Sequence, residues 1–175
     1  MGGLGQRSMI THNFEKSMDF ADSYEGFAFP LYERLFDGEP KKIEDIERQM
    51  DGADVIVCST RGNIYIEEKI REKSYTDYLF ETWSSLEDGK PGWIEKDALC
   101  HYLSYICIET RTVNLLPWPL LRDVWKRMGT KWTFQYGEKH IPNEGYTTVC
   151  VCVPKKEVHE QLTRTFSRPI EFKVL

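Results

Sequence analysis

Between residues 54 and 70 the chain reads DVIVCSTRGNIYIEEKI, two apolar arms around a short polar break. Alternation with a period of two on either side of a glycine-containing break predicts a β-hairpin. With Arg61-Gly62 as a two-residue turn, Thr60 pairs with Asn63, Ile56 falls opposite Glu67, and Asp54 falls opposite Lys69. Paired residues share a face, so Asp54, Glu67 and Lys69 gather at one end of one face. Val55, Val57, Ile64, Ile66 and Ile70 make an apolar patch on the other, interrupted by Glu68. A three-residue turn would slip the register by one and bring Glu68 to the Asp54 face instead. In both registers Glu67 keeps Lys69 as a same-face neighbour.

Ahead of the hairpin, Phe14, Met18, Ala21, Tyr24, Phe27 or Ala28, Leu31 and Leu35 recur every three to four residues, which predicts a helix over 13–36. Pro30 should kink or split it, and Gly38 and Pro40 should end it. Residues 41–52 read as a short helix or a connecting strand. After the hairpin, YTDYLFETWSSLEDGKPG starts amphipathic and ends in a Gly/Pro turn, predicting a short helix and then a loop. The stretch WIEKDALCHYLSYICIE alternates in its later part, a strand with Leu103, Tyr105 and Cys107 on one face and Tyr102, Ser104 and Ile106 on the other. Pro119 suits the first turn of a helix carried by Leu120, Val124 and Met128, with Gly129 as its stop. KWTFQYG reads as a strand, GYTTVCVCVP as a better one, and PKKEVHEQLTRTF as a helix with Pro154 at its start. The order α, β-hairpin, α, β, α, β, β, α is that of a single α/β domain over 13–175, preceded by a flexible tail over 1–12.

The 175 residues suffice for one domain with a core. A composition of 41% hydrophobic and 29% charged residues excludes general disorder. Net charge is −5, which repels a polyanion in bulk, so nucleic-acid contact requires a local basic face. No apolar run approaches the ~18 residues of a membrane span. The start MGGLGQRSMITHN lacks the apolar centre of a signal peptide, and Gln6 breaks the myristoylation pattern, so no membrane is expected. The five cysteines include no CxxC and are odd in number, which points to reduced thiols in a cytoplasmic protein. Cys150 and Cys152 share a strand face and read as small buried apolar residues. The four histidines are scattered and suggest neither a zinc site nor a histidine-based nuclease.

Two carboxylates and an ammonium at one strand end have a definite chemical use. Hard oxygen ligands suit Mg²⁺, which keeps several waters and takes one or two carboxylates. The metal polarises a phosphate, and a lysine beside it can orient or deprotonate a water. Asp54 followed by Glu67-Glu68-Lys69 resembles the PD-(D/E)xK nuclease superfamily, in which an Asp begins one strand of a hairpin and a Glu-x-Lys or Asp-x-Lys ends the next. Ala53 stands where that superfamily has a proline. The segment KPGWI followed by ALCHYLSY is similar to phage or bacterial members. The resemblance implies a restriction-endonuclease-like core, a central mixed β-sheet flanked by helices, and hydrolysis of DNA phosphodiester bonds with Mg²⁺ or Mn²⁺. By the same resemblance Asp54 and Glu67 hold the metal, together with the main-chain carbonyl of Glu68 and a first-helix carboxylate, Glu33 ahead of Glu25. Lys69 then activates the attacking water. Superfamily members that cut both strands dimerise, which makes a homodimer an expected assembly.

Arg71 and Lys73 beyond Lys69, and Lys90 and Lys96 beside the Gly/Pro loop, are candidate phosphate contacts. Trp93 in that loop is the candidate base contact, whereas the other tryptophans read as core. Asp77 and Glu81 share a helix face, which makes Glu81 a candidate supporting acid. Three other readings compete. The charged end is a salt-bridged strand rim that discourages edge pairing. The fold serves as a binding or assembly module without cleavage. The chain is a phage interaction protein that inhibits a host defence enzyme through its acidic surface.

Overall fold

The structure, a computed structural model, describes residues 24–45 and 52–166. The expected tail over 1–12 and the start of the first helix, with Phe14, Met18 and Ala21, lie outside the described residues. Residues 24–36 are helical (α1). They are followed by β1 (Gly38–Lys42), β2 (Val55–Ser59), β3 (Gly62–Arg71), β4 (Asp77–Ser85), β5 (Lys90–Pro91), β6 (Tyr102–Cys107) and β7 (Thr112–Pro117). Then come α2 (Trp118–Tyr136), β8 (Lys139–Pro142), β9 (Thr147–Pro154) and α3 (Lys155–Phe166). The fold is α/β, with three helices among the described residues.

The strands form two sheets. The first has the order β1-β2-β3-β6-β7 and is mixed: β3 and β6 run parallel and the other neighbours antiparallel. Pro40 lies in β1, an edge strand, where a missing N–H breaks no central ladder. The second sheet, β5-β4-β9-β8, is antiparallel throughout. Each face of the first sheet packs separately. Tyr24, Ala28 and Tyr32 recur every four residues on α1 and pack on Val55, Val57, Ile66 and Ile106. The opposite face contributes Leu103, Tyr105 and Leu116 to the main core, which joins Tyr78, Phe80, Val151 and Val153 of the second sheet to Leu121, Val124, Trp125 and Trp132 of α2. The two expected faces of β6 are the observed ones, Leu103 and Tyr105 toward the main core and Ile106 toward α1.

Several elements differ from expectation. Pro30 sits inside an unbroken helical run. The carbonyl it leaves without a donor is that of Gly26, and both residues are exposed, so water can serve it. Residues 77–85 form a strand, not a helix. Tyr78, Phe80 and Thr82 are buried in alternation, and this aromatic and β-branched run pairs with β9. Asp77 and Glu81 satisfy a period of two as readily as one of 3.6, so their spacing did not discriminate. KWTFQYG is no strand either; its first six residues complete α2. Gly129 does not stop that helix. The Trp125 ring lies 3.0 Å from where a Cβ would stand, so glycine there makes room for an indole. The stop is Gly137 at φ 73°, whose N–H bonds the Thr133 carbonyl.

Candidate functional site

The hairpin turns at Thr60-Arg61, with Ser59 opposite Gly62 and Val55 opposite Ile66. Relative to the expected register this is a slip of two. Arg61-Gly62 as the turn would demand a positive φ at Arg61. Instead Gly62 takes φ 127° as the first residue of β3, and the Ser59 hydroxyl accepts the Arg61 N–H at 3.2 Å. A slip of two preserves every face assignment, because side chains alternate with that period. It changes the opposed partners: Asp54 comes to lie across from Glu67 rather than Lys69, with the Asp54 N–H bonded to the Ile66 carbonyl at 2.9 Å.

Along β3, Ile66, Glu68 and Ile70 face α1, while Glu67, Lys69 and Arg71 share the face of Leu103, Tyr105 and Cys107 on the parallel neighbour β6. Glu67 and Lys69 pair directly, and Asp54 stands near enough for its charge to act on the Glu67 carboxyl. Lys69 Nζ donates to Glu67 Oε1 and lies 5.7 Å from the centre of the Trp93 ring. Asp54 Oδ2 accepts the Glu68 N–H at 2.7 Å. Among the described residues, the second oxygen of each carboxylate has no hydrogen-bond donor. The Glu67 carboxyl is held above its ordinary pKa, chiefly by burial. Lys69 and Lys96 pull it down and Asp54 pushes it up, so the two acids sense each other. Beneath them, burial and the Glu67 charge push the Cys100 thiol up to about 12.

Glu68 and Glu33 do not join that pair through their side chains. Glu68 is buried on the α1 face, where Tyr32 Oη donates to Oε1 at 2.9 Å and Tyr24 Oη to Oε2 at 3.1 Å. Lys42 Nζ completes the cluster at 2.6 Å from Oε2, with Glu25 3.8 Å from the same ammonium. Burial and the Glu68 charge push the Tyr24 hydroxyl up to about 12. Glu33 is exposed on α1, on the far side of the sheet from Glu67. Glu25 likewise belongs to the α1 face. Among the described residues no three acidic, histidine or cysteine side chains gather closely enough to hold a metal by themselves. On the cavity side Asp54 and Glu67 are two hard oxygen donors, and a cation held there would need waters or substrate oxygens for its other ligands.

Beside the pair lies a cavity of about 320 Å³, lined by Glu67, Lys69, Arg71, Glu81, Lys96 and Tyr105 with Trp93 and Trp118 among its apolar walls. Of the expected phosphate contacts, Arg71 and Lys96 reach it. Lys73 is exposed beyond β3 and lines a shallower depression, and Lys90 pairs with Asp88 at 3.3 Å. Trp93 is not the exposed stacking platform expected of a Gly/Pro loop. It is 9% exposed and packs against Phe80 with ring centres 5.6 Å apart. The loop is drawn inward because Gly92 abuts the Glu81 carbonyl, only 2.1 Å from where a Cβ would stand, and the Ile94 N–H bonds the same oxygen. Glu81 reaches the cavity from β4 rather than from a helix. Tyr105 and Trp118 were missed as site residues. Their apolar alternation marks them as core, and only the parallel pairing of β3 with β6 sets Tyr105 opposite Lys69.

Comparison with protein-family models, curated proteins and solved structures found no match to this chain. Among the described residues no helix is long and apolar enough to cross a membrane. All five cysteines are free thiols.

Proposed function

We propose that this protein is a divalent-metal-dependent nuclease that hydrolyses DNA phosphodiester bonds, built on a restriction-endonuclease-like core. The observation that carries the reading is the gathering of Asp54, Glu67 and Lys69 at one end of the β2–β3 hairpin, beside a cavity that also holds Arg71 and Lys96. Support at the level of the fold comes from α1 preceding the hairpin and covering one face of a mixed sheet, in which β6 runs parallel to β3. One departure counts against it: the β3–β6 connection runs through β4 and β5 of a second sheet, where a helix was expected.

In this reading Asp54 and Glu67 hold Mg²⁺ or Mn²⁺. When bound, the cation polarises the scissile phosphate and stabilises the departing oxyanion. Glu67 would serve as a ligand in its ionised form, which burial disfavours and the neighbouring Lys69 favours. Lys69, which donates to Glu67 Oε1, would orient the attacking water through the same ammonium, and would act as its base only after giving up a proton to solvent. Arg71 and Lys96 would contact the backbone phosphates, in a cavity whose other charged walls are Lys69, Glu67, Glu81 and Asp97.

The test is Mg²⁺-dependent cleavage of plasmid and single-stranded DNA by the wild type and by Lys69→Ala. The substitution is expected to slow cleavage by about a hundredfold or more, the usual contribution of a positioned acid or base. Cleavage that survives it unchanged removes the assigned chemistry. A second reading, a binding or assembly module on the same fold, is favoured by the way the protein itself engages both acids, Glu67 through Lys69 and Asp54 through the Glu68 amide. No cleavage of any DNA, with no metal uptake by calorimetry, selects that module.

A further inference from the structure

The cavity holds a polar group that the proposed hydrolysis does not use, the Tyr105 hydroxyl, beside the Arg71 guanidinium. Tyr105 is 4% exposed, and its hydroxyl oxygen accepts Arg71 Nε–H at 3.0 Å and the Leu79 N–H at 3.1 Å. With both contacts incoming, its own proton has no acceptor among the described residues. The Arg71 guanidinium is half-buried and stacks 5.6 Å from the Tyr75 ring, and among the described residues no carboxylate lies within ion-pair distance of it. A half-buried cation without a counter-ion, beside a hydroxyl aimed at nothing, calls for a ligand rich in acceptors and negatively charged. A phosphate meets both demands, since the arginine fork matches two of its oxygens.

The size of the space narrows the class further. About 320 Å³ lies at the small end of ligand sites, enough for a single nucleotide. A duplex, whose major groove alone is about 12 Å wide, does not enter it. Trp93 and Trp118 offer apolar wall for a sugar and base, and Lys69 stands at the boundary with the acidic pair.

We infer that Arg71 and Tyr105 form a phosphate-binding subsite for one unpaired nucleotide, in a cavity adjoining the Asp54–Glu67–Lys69 group. The inference rests on the nuclease reading only for its account of why a nucleotide is there. An unpaired strand would be held through this phosphate, so single-stranded or frayed DNA is the substrate class that fits.

Binding can be measured without metal or turnover. Thymidine 5′-monophosphate is titrated against the full chain and followed by calorimetry and by tryptophan fluorescence, with thymidine and inorganic phosphate as comparison probes. The expected result is saturable binding of the monophosphate, at least tenfold tighter than inorganic phosphate, and none of thymidine. Arg71→Gln and Tyr105→Phe should each weaken it tenfold or more, while their melting temperatures and circular dichroism show that they fold. Equal affinity for monophosphate and inorganic phosphate overturns the nucleotide assignment. Binding unaltered in both variants, or no binding by the wild type, overturns the subsite. A protein that binds the monophosphate yet cuts no DNA keeps the subsite and loses the nuclease. One that cuts single strands equally well with Arg71→Gln keeps the nuclease and loses the subsite.

Discussion

Glu67 and Glu68 are neighbours in the chain and chemically unlike, because a strand sends successive side chains to opposite faces. Glu68 is enclosed by Tyr24, Tyr32 and Lys42, whereas Glu67 faces the cavity with Lys69 as its close partner. The sign of the Glu67 shift sets a pH dependence. Its folded pKa stands above its unfolded one, so the folded state binds more protons between the two values, and stability falls as pH rises through that window. The penalty is absent below the ordinary carboxylate pKa and complete above the raised one. Glu67→Gln should therefore gain stability relative to the wild type as pH climbs above the ordinary carboxylate range. Thermal melts across that range check it, and a difference that stays constant or shrinks with pH contradicts the assigned environment. At this scale the sequence was informative about which residues share a face. It was silent about burial: Trp93 follows a Gly/Pro pair that usually marks exposed loop, and only the contact of Gly92 with β4 draws it inward.

At the scale of elements, the Glu68 cluster ties α1 to the first sheet. Its carboxylate takes hydrogen bonds from two helix residues and from Lys42 on β1, while its main-chain N–H is fixed by Asp54. Tyr32 also bonds Ser104 on β6 at 2.5 Å. Removing the acid takes the close counter-ion from a partly buried ammonium and the acceptor from the Tyr24 hydroxyl, while Tyr32 keeps Ser104. Breaking such a pair costs about 3 kcal/mol, at the lower end of the usual range because Lys42 keeps some contact with water. Glu68→Ala should lower the melting temperature by roughly 6–12 °C for a chain of this size. A drop of less than about 2 °C would mean that the cluster does not anchor α1. The hairpin, β6, β9 and α3 were legible because each carries an uninterrupted period and a clear boundary. β4 was not, since a four-residue spacing of acids fits both periods. α2 was cut short because Gly129 looks like a stop, although the apolar repeat runs on through Trp132.

At the scale of the whole molecule, the arrangement of the sheets decides what the acidic pair can reach. The mixed first sheet alone would leave Glu67 and Lys69 on an open face. The second sheet, α2 and the 92–98 loop close that face into a cavity and bring Glu81, Lys96 and the indoles to it. No local pattern could have revealed this, because it depends on β4 pairing with β9, some seventy residues away in the chain. Closure also mixes charge in one recess: Lys69, Arg71 and Lys96 stand there among Glu67, Glu81 and Asp97. The site and the fold thus meet at the hairpin end, where the proposed reading would have Asp54 and Glu67 hold a cation. Crystals soaked in Mn²⁺ and measured near the manganese edge test this most directly. The account predicts one anomalous peak bridging Asp54 and Glu67, lost in Asp54→Asn. A peak elsewhere on an active protein, or none at saturating Mn²⁺, contradicts it.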